Sequence, residues 1–326
     1  MTYAISVEDI HSAAERLEDV AVRTPLIENV QLNEITGGRV FVKAECLQHT
    51  GSFKFRGAYN RLSRLSAEEK ERGVLAFSSG NHAQGVARAA QLLGIKATII
   101  MPEDAPALKL AATKGYGADV VTYDRYTEDR EEVAATTAGD SGVVIVPPYN
   151  DPFIMAGQGT AGLETVQDLR KIGLTPDQAL VNCGGGGLAS GFYTAMYDAF
   201  PNLNGYVVEP EEFDDVKRSL ETGDIQTIDF NARSICDALL TPSPGKLTFP
   251  IIKDKGVTGI TVSDDEARAA VSFAARHMKL TGEPGGIVSL AAILAGKVET
   301  AGKITVCIIS GGNVDPQMHT DCILNF

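Results

Sequence analysis

The sequence predicts a parallel α/β protein of two open, twisted sheets with flanking helices. Three observations predict it. Short apolar runs alternate with helical patterns along most of the 326 residues, and runs apolar throughout suit strands covered on both faces. The length gives two domains as the prior. The segment Pro147-Pro148-Tyr149-Asn150-Asp151-Pro152 breaks the alternation once, as a domain boundary does.

The elements follow in order. Capping boxes at Ser6 to Asp9 and Ser66 to Glu69 open two early helices. Val74 to Phe77 reads as a strand, followed by a helix from Asn81 to Leu93 that Gly94 stops. Ala97 to Met101 precedes a helix opened by Pro106. Asp119 to Thr122 precedes a charged helix around Arg130 to Thr137. Val143 to Val146 ends at the proline pair. Ala179 to Cys183, Tyr206 to Glu209 and Ile304 to Ile309 repeat the strand theme. Residues 51–148 are expected to form a smaller domain, inserted between residues 1–50 and 149–326 of a larger one.

Composition narrows the function. Hydrophobic content of 44% and charged content of 22% are globular values. A net charge of -13 with no Lys/Arg-rich segment argues against nucleic acid as the partner. The five cysteines are scattered and contain no Cys-x-x-Cys, which suits neither a disulfide framework nor a zinc cage. Four lie in or beside apolar runs and read as buried thiols. The N-terminal segment is acidic and amphipathic without a signal core, and no apolar run reaches bilayer length. A cytoplasmic protein with no membrane partner is the expectation.

Lys54 lies between Phe53 and Phe55. Apolar neighbours disfavour the ammonium form, which suits a nucleophilic, Schiff-base lysine. Read alone, it is by default a helix-start lysine whose stem covers a core edge. Gly184-Gly185-Gly186-Gly187 follows a strand and precedes a helix expected from Phe192 to Phe200. Consecutive glycines let backbone N–H groups converge on a phosphate at a helix start. The run also fits Gly-x-Gly-x-x-Ala, with Glu209 as a ribose-binding acid, so a nicotinamide oxidoreductase is a rival. Ser78-Ser79-Gly80-Asn81-His82 is a similar turn that suits a carboxylate, or a plain helix cap. His82 reads as a structural hydrogen-bonding residue rather than a base. Ser310-Gly311-Gly312-Asn313 is a polar turn, or a neutral hydroxyl facing a heteroaromatic nitrogen. Glu209 to Asp215 is a solvated helix start or a hard-cation site. Arg125 and Arg130 are most simply surface residues.

Taken together and in this order, these motifs, with Ala156-Gly157-Gln158-Gly159-Thr160, resemble those of the pyridoxal-phosphate enzymes of the serine/threonine dehydratase and serine racemase family. The resemblance covers essentially the whole chain. It implies fold type II, similar to the tryptophan synthase β subunit. It implies that Lys54 carries pyridoxal 5'-phosphate and removes the α-proton, with Ser79 as a second acid/base on the opposite face. Phe53 would lie against the pyridine ring and Asn81 would meet its hydroxyl. Gly184, Gly185, Gly186, Gly187 and Leu188 would hold the phosphate, Glu283 would support the cofactor, and Ser310 would face the ring nitrogen. The amides of Ser52, Ser78, Asn81 and His82 would receive the substrate carboxylate, and Arg130 a second carboxylate. Glu209, the Phe213 carbonyl and Asp215 would bind magnesium or calcium. A homodimer is expected.

The implied activity is an ammonia-lyase converting a β-hydroxy amino acid, threonine, serine or 3-hydroxyaspartate, to a 2-oxo acid and ammonia. Serine or aspartate racemase is the nearest alternative, and a non-catalytic amino-acid-binding protein is a further rival. The chain ends soon after Asn313, so the regulatory domain of biosynthetic threonine deaminases and isoleucine feedback are not expected. The chain departs from the family at two places: Cys236-Asp237-Ala238 stands for Ala-Asp-Gly, and Glu283-Pro284-Gly285-Gly286 for Glu-Pro-Thr or Glu-Gly-Ala.

Overall fold

The computed structural model describes residues 3–78, 80–124, 127–128, 130–229 and 231–326, with residues 130 and 131 described by backbone alone. Ten strands are found among them: β1 (Leu26–Glu28), β2 (Arg39–Ala44), β3 (Val74–Phe77), β4 (Ala97–Pro102), β5 (Asp119–Tyr123), β6 (Val144–Ile145), β7 (Gln178–Asn182), β8 (Asn204–Pro210), β9 (Thr258–Val262) and β10 (Ile304–Ile309). They form a six-stranded sheet of order β1-β2-β10-β7-β8-β9 and a four-stranded sheet of order β5-β4-β3-β6. Every pairing is parallel except β1 with β2.

Both faces of the larger sheet are covered. Leu180, Val208 and Ile309 belong to one apolar cluster, while Ala179, Val207 and Ile308 belong to another on the opposite side. Adjacent residues thus enter different cores, which explains the continuous apolar runs. The smaller sheet packs Val74, Ala76 and Ile99 against Val86 and Ala90 of the helix Asn81–Leu93.

The helices follow the expected signals closely, with one correction. Both capping boxes form, and Gly94 closes its helix in the left-handed conformation. The helix after the glycine run begins at Gly187 rather than Phe192. Glycine is a poor helix former, yet here it packs closely: a Cβ on Gly187 would stand 2.6 Å from Gln158 Oε1. The helix Pro152–Lys171 packs against this helix, against Lys54–Ser63 and against Val7–Leu17. A Cβ on Gly157 would stand 2.6 Å from the Arg56 carbonyl, so a larger residue would push two of these helices apart.

Candidate active site

A cleft lies where strands of both sheets end, the place where ligands of open α/β sheets bind. Ser78 follows β3, Gly184 lies two residues beyond β7, and Ser310 follows β10; Phe53, Lys54, Asn81 and His82 complete much of the wall. The Lys54 and Ser310 segments, far apart in sequence, are tied by backbone. Phe53 N–H donates to Ser310 O at 3.1 Å, and Gly312 N–H to Gly51 O at 2.9 Å.

Lys54 opens the helix Lys54–Ser63. Its Nζ donates to the Pro148 carbonyl at 2.9 Å and lies 5.2 Å from the centre of the Phe53 ring. Burial lowers its pKa to about 8, bringing the neutral, nucleophilic amine within reach near physiological pH. Two residues on, Arg56 is anchored by Glu45 at 2.8 Å and Glu164 at 2.7 Å, and Lys43 joins Glu164 at 2.5 Å. This buried network fixes the start of the helix.

The glycine run meets the requirements of a phosphate cradle. A Cβ on Gly185 would stand 2.5 Å from the Tyr149 ring, and Gly186 has φ +84°, a conformation that favours glycine. The Gly185 carbonyl accepts from Thr248 Oγ1 at 2.7 Å and Gly245 N–H at 3.1 Å. The next N–H therefore points the opposite way across a trans peptide. The run ends at the first turn of Gly187–Ala199, where backbone donors lack intrahelical partners.

Ser310 Oγ accepts from Asn182 Nδ2 at 3.0 Å. Its own proton is left for a neutral acceptor such as a pyridine nitrogen. Asn81 Nδ2 donates to Glu283 Oε1 at 2.5 Å, and Asn81 Oδ1 accepts from Asn313 Nδ2 at 2.7 Å. Glu283 is fully buried behind Asn81 and joins Lys109. A lysine amine, glycine cradle and serine hydroxyl around one cleft fit pyridoxal phosphate.

The anion turn differs in detail from expectation. Ser78 N–H is spent on the Ile100 carbonyl at 3.0 Å, and Ser78 Oγ accepts from Gly80 N–H at 3.2 Å. The Asn81 and His82 amides, in the first helical turn, remain for a carboxylate. The cap is Gly80, with no side-chain cap bond, so the plain-cap reading of Ser and Asn does not hold. His82 Nε2 contacts the Val146 carbonyl at 2.9 Å. Burial first, and Lys54 second, lower its pKa to about 3, leaving a neutral structural imidazole. Ser52 is buried against the Ser310 segment through its bridge to Gly311, with Oγ unpaired. Ser79 and the Arg130 side chain lie outside the described residues.

Glu209, expected in the oxidoreductase reading to hold a ribose, instead accepts Val216 N–H at 3.0 Å and Lys217 N–H at 2.8 Å. Beside it Asp215 is buried with both oxygens unpaired. Burial, then Asp215, raises the pKa of Glu209, and burial raises that of Asp215 to about 7. Among the described residues no group of three or more His, Cys, Asp or Glu surrounds a common point. The five cysteines are free thiols, and Cys46 alone is not fully buried.

Sequence reasoning missed Lys109, Asp237 and Asn182. Asn182 carried a signal, as a polar residue ending a buried strand. Lys109 carried none. The two departures from the family pattern prove to be neighbours: a Cβ on Gly285 would stand 3.1 Å from Ala238 Cβ.

Two largely parallel sheets, with a half-buried lysine facing a glycine cradle across their shared cleft, define a lysine-dependent enzyme for a phosphorylated aldehyde cofactor. Residues 17–311 match the model of the family described as pyridoxal-phosphate dependent enzyme, and the chain belongs to that family. It is 46% identical to the L-threo-3-hydroxyaspartate ammonia-lyase of Pseudomonas sp, over 98% of both chains. It is 45% identical to the serine racemase of Schizosaccharomyces pombe, over 96% of this chain and 95% of that one. The solved serine racemase of maize superposes with a TM-score of 0.91 at 34% identity, covering 97% of this chain and 95% of that one. Family membership replaces the nicotinamide reading and the non-catalytic one.

Proposed function

We propose that this chain is an ammonia-lyase acting on a β-hydroxy amino acid, with a 3-hydroxyaspartate preferred to threonine or serine. The observation that carries the lyase reading is Lys54: a half-buried amine, without a carboxylate partner among its described contacts, facing a cradle for the cofactor phosphate. Two relatives more than 40% identical over nearly the whole chain, named as L-threo-3-hydroxyaspartate ammonia-lyases, support the substrate.

The bound cofactor supplies an electron sink for negative charge developing at Cα. Gly184 to Gly187 and Leu188 would hold its phosphate, and Phe53 would pack against it. The amides of Asn81 and His82 orient the substrate carboxylate and so present the α-hydrogen to Lys54 Nζ, which takes the proton. Ser310, a neutral hydroxyl already accepting from Asn182, holds its partner without a counter-charge; this favours loss of the β-hydroxyl over more extensive charge build-up. The α-proton and β-hydroxide leave as water. Hydrolysis of the resulting enamine, after tautomerisation, releases ammonia and the 2-oxo acid. Ser79 as a second acid/base would add racemisation, and Arg130 would receive the second carboxylate.

Residues 51–148 are proposed as the smaller domain, closing on substrate. Glu209, Asp215 and the Phe213 carbonyl are proposed as a magnesium or calcium site, supported by the buried, unpaired Asp215 carboxylate. We further propose a cytoplasmic homodimer. Among the described residues no helix is long and apolar enough to cross a membrane. Sedimentation would give the assembly directly.

The activity is tested by assaying oxaloacetate, 2-oxobutyrate and pyruvate from 3-hydroxyaspartate diastereomers, threonine and serine. Arg130→Ala should lower kcat/KM for 3-hydroxyaspartate far more than for threonine. An unchanged ratio would remove Arg130 from the substrate site.

A further inference from the structure

Lys109 takes no part in the chemistry above, yet its ammonium lines the cleft. It lies in the helix Ala107–Gly115, on the side of the four-stranded sheet, with its side chain 4% exposed. Its two anionic partners belong to the side of the six-stranded sheet: Asp237 at 2.5 Å and Glu283 at 3.1 Å. The other Glu283 oxygen accepts from Asn81, whose Oδ1 accepts from Asn313; Asn313 also donates to Thr50 O at 2.7 Å. One line of polar contacts thus runs from Lys109 to the loops bearing Lys54 and Ser310, crossing between the two sheets. The ammonium also lies close behind the anion turn, since a Cβ on Gly80 would stand 3.4 Å from Lys109 Nζ.

We propose that Lys109 is a positioning residue that, through Glu283, fixes the orientation of the Asn81 amide and the closure of the cleft around it. Glu283 accepts from Asn81 through Oε1 and from Lys109 through Oε2, so Asn81 offers Nδ2 to it and Oδ1 to Asn313. Lys109 supplies the counter-charge beside this buried carboxyl. Without the lysine, Glu283 Oε2 would lose its cationic partner, and the Glu283 and Asn81 side chains would be free to turn. Lys109 is not a receptor for a second substrate carboxylate. It already serves two acids, and one lysine with two carboxylates leaves a net charge of about -1 that repels a third.

This inference rests on the lyase reading for its kinetic arm, but not for its spectroscopic arm. The experiment compares native holoenzyme, Lys109→Met and Lys109→Met/Glu283→Gln, the double variant removing the stranded acid. Measured are the absorption maximum of the bound cofactor, the Kd of apoenzyme for pyridoxal phosphate, Tm, and kcat and KM on the β-hydroxy amino acid the native enzyme turns over. A native enzyme inactive on the whole panel would defeat the lyase reading, and the spectrum and Kd would still judge Lys109. Lys109→Met should shift the absorption maximum and lower kcat roughly 30- to 100-fold with KM within about threefold, the scale of a small misplacement. The double variant should recover Tm but neither kcat nor the absorption maximum. Native kcat and spectrum in the double variant would overturn the proposal, showing a purely structural lysine. A loss at least about tenfold larger for 3-hydroxyaspartate than for threonine would also overturn it, showing a substrate receptor. If Lys109→Met does not fold, the double variant decides by the same readouts.

Discussion

Two acid pairs lie near the strand ends of the larger sheet, and they differ in one respect. Glu283 and Asp237 share the ammonium of Lys109. Among the described residues Glu209 and Asp215 form no ion pair with a lysine or arginine: Glu209 receives two backbone amides and Asp215 has both oxygens unpaired. Burying carboxylates without a counter-ion is costly. Where the chain supplies the cation, the acids become part of a rigid cleft wall. Where it does not, Asp215 keeps an unpaired carboxyl, the observation behind the proposed cation site.

The comparison breaks most forcefully at Lys109. Lys109→Met would place Glu283 in the condition of Asp215, and chemical denaturation of the apoenzyme should show a loss of about 2–4 kcal/mol. Added magnesium or calcium sharpens the other side. At a hundredfold excess over Kd the gain should be about 2.7 kcal/mol, seen as a rise in Tm of several degrees that a chelator reverses. Asp215→Asn should abolish that rise.

Lys54 is the converse case, a half-buried cation whose described hydrogen-bond partner is a carbonyl. Burial lowers its pKa to about 8 from 10.5. Between those values the unfolded chain binds more protons than the folded one, so stability rises with pH across the window, and the cost of the buried charge is full below about pH 8. Lys54→Met should therefore stabilise the apoenzyme by about 1–2 kcal/mol at pH 7, and by less at pH 10. Asp237→Asn should change stability least, by under about 1 kcal/mol, because Asp237 is 39% exposed and Glu283 still holds the lysine.

The parallel α/β architecture was legible wherever a strand was apolar throughout, as in Ile304–Ile309 or Val74–Phe77. Three strands were not legible. β1 has three residues, β9 contains Gly259, and β2 carries Lys43, whose burial makes sense only once Glu164 pairs with it. The site was legible where backbone chemistry needs glycine, and around Lys54, where local apolar neighbours foretell a lowered pKa. It was not legible at Lys109, because its acids lie 128 and 174 residues away and only the folded chain brings them together. The anion turn shows the same limit: sequence marks a carboxylate-binding turn, but not that β4 has claimed the Ser78 amide.

The central claim is that Lys54 and the glycine cradle make this chain a β-hydroxy amino acid ammonia-lyase with a dicarboxylate preference. Its most direct test is ammonia and 2-oxo acid release by the yellow holoenzyme from L-threo-3-hydroxyaspartate, with threonine and serine alongside. The account predicts oxaloacetate and ammonia in equal amounts, with kcat/KM at least about tenfold above that for threonine, a difference of about 1.4 kcal/mol in transition-state stabilisation, and no product from Lys54→Ala. A cofactor-loaded enzyme that releases ammonia from none of the three substrates would contradict it.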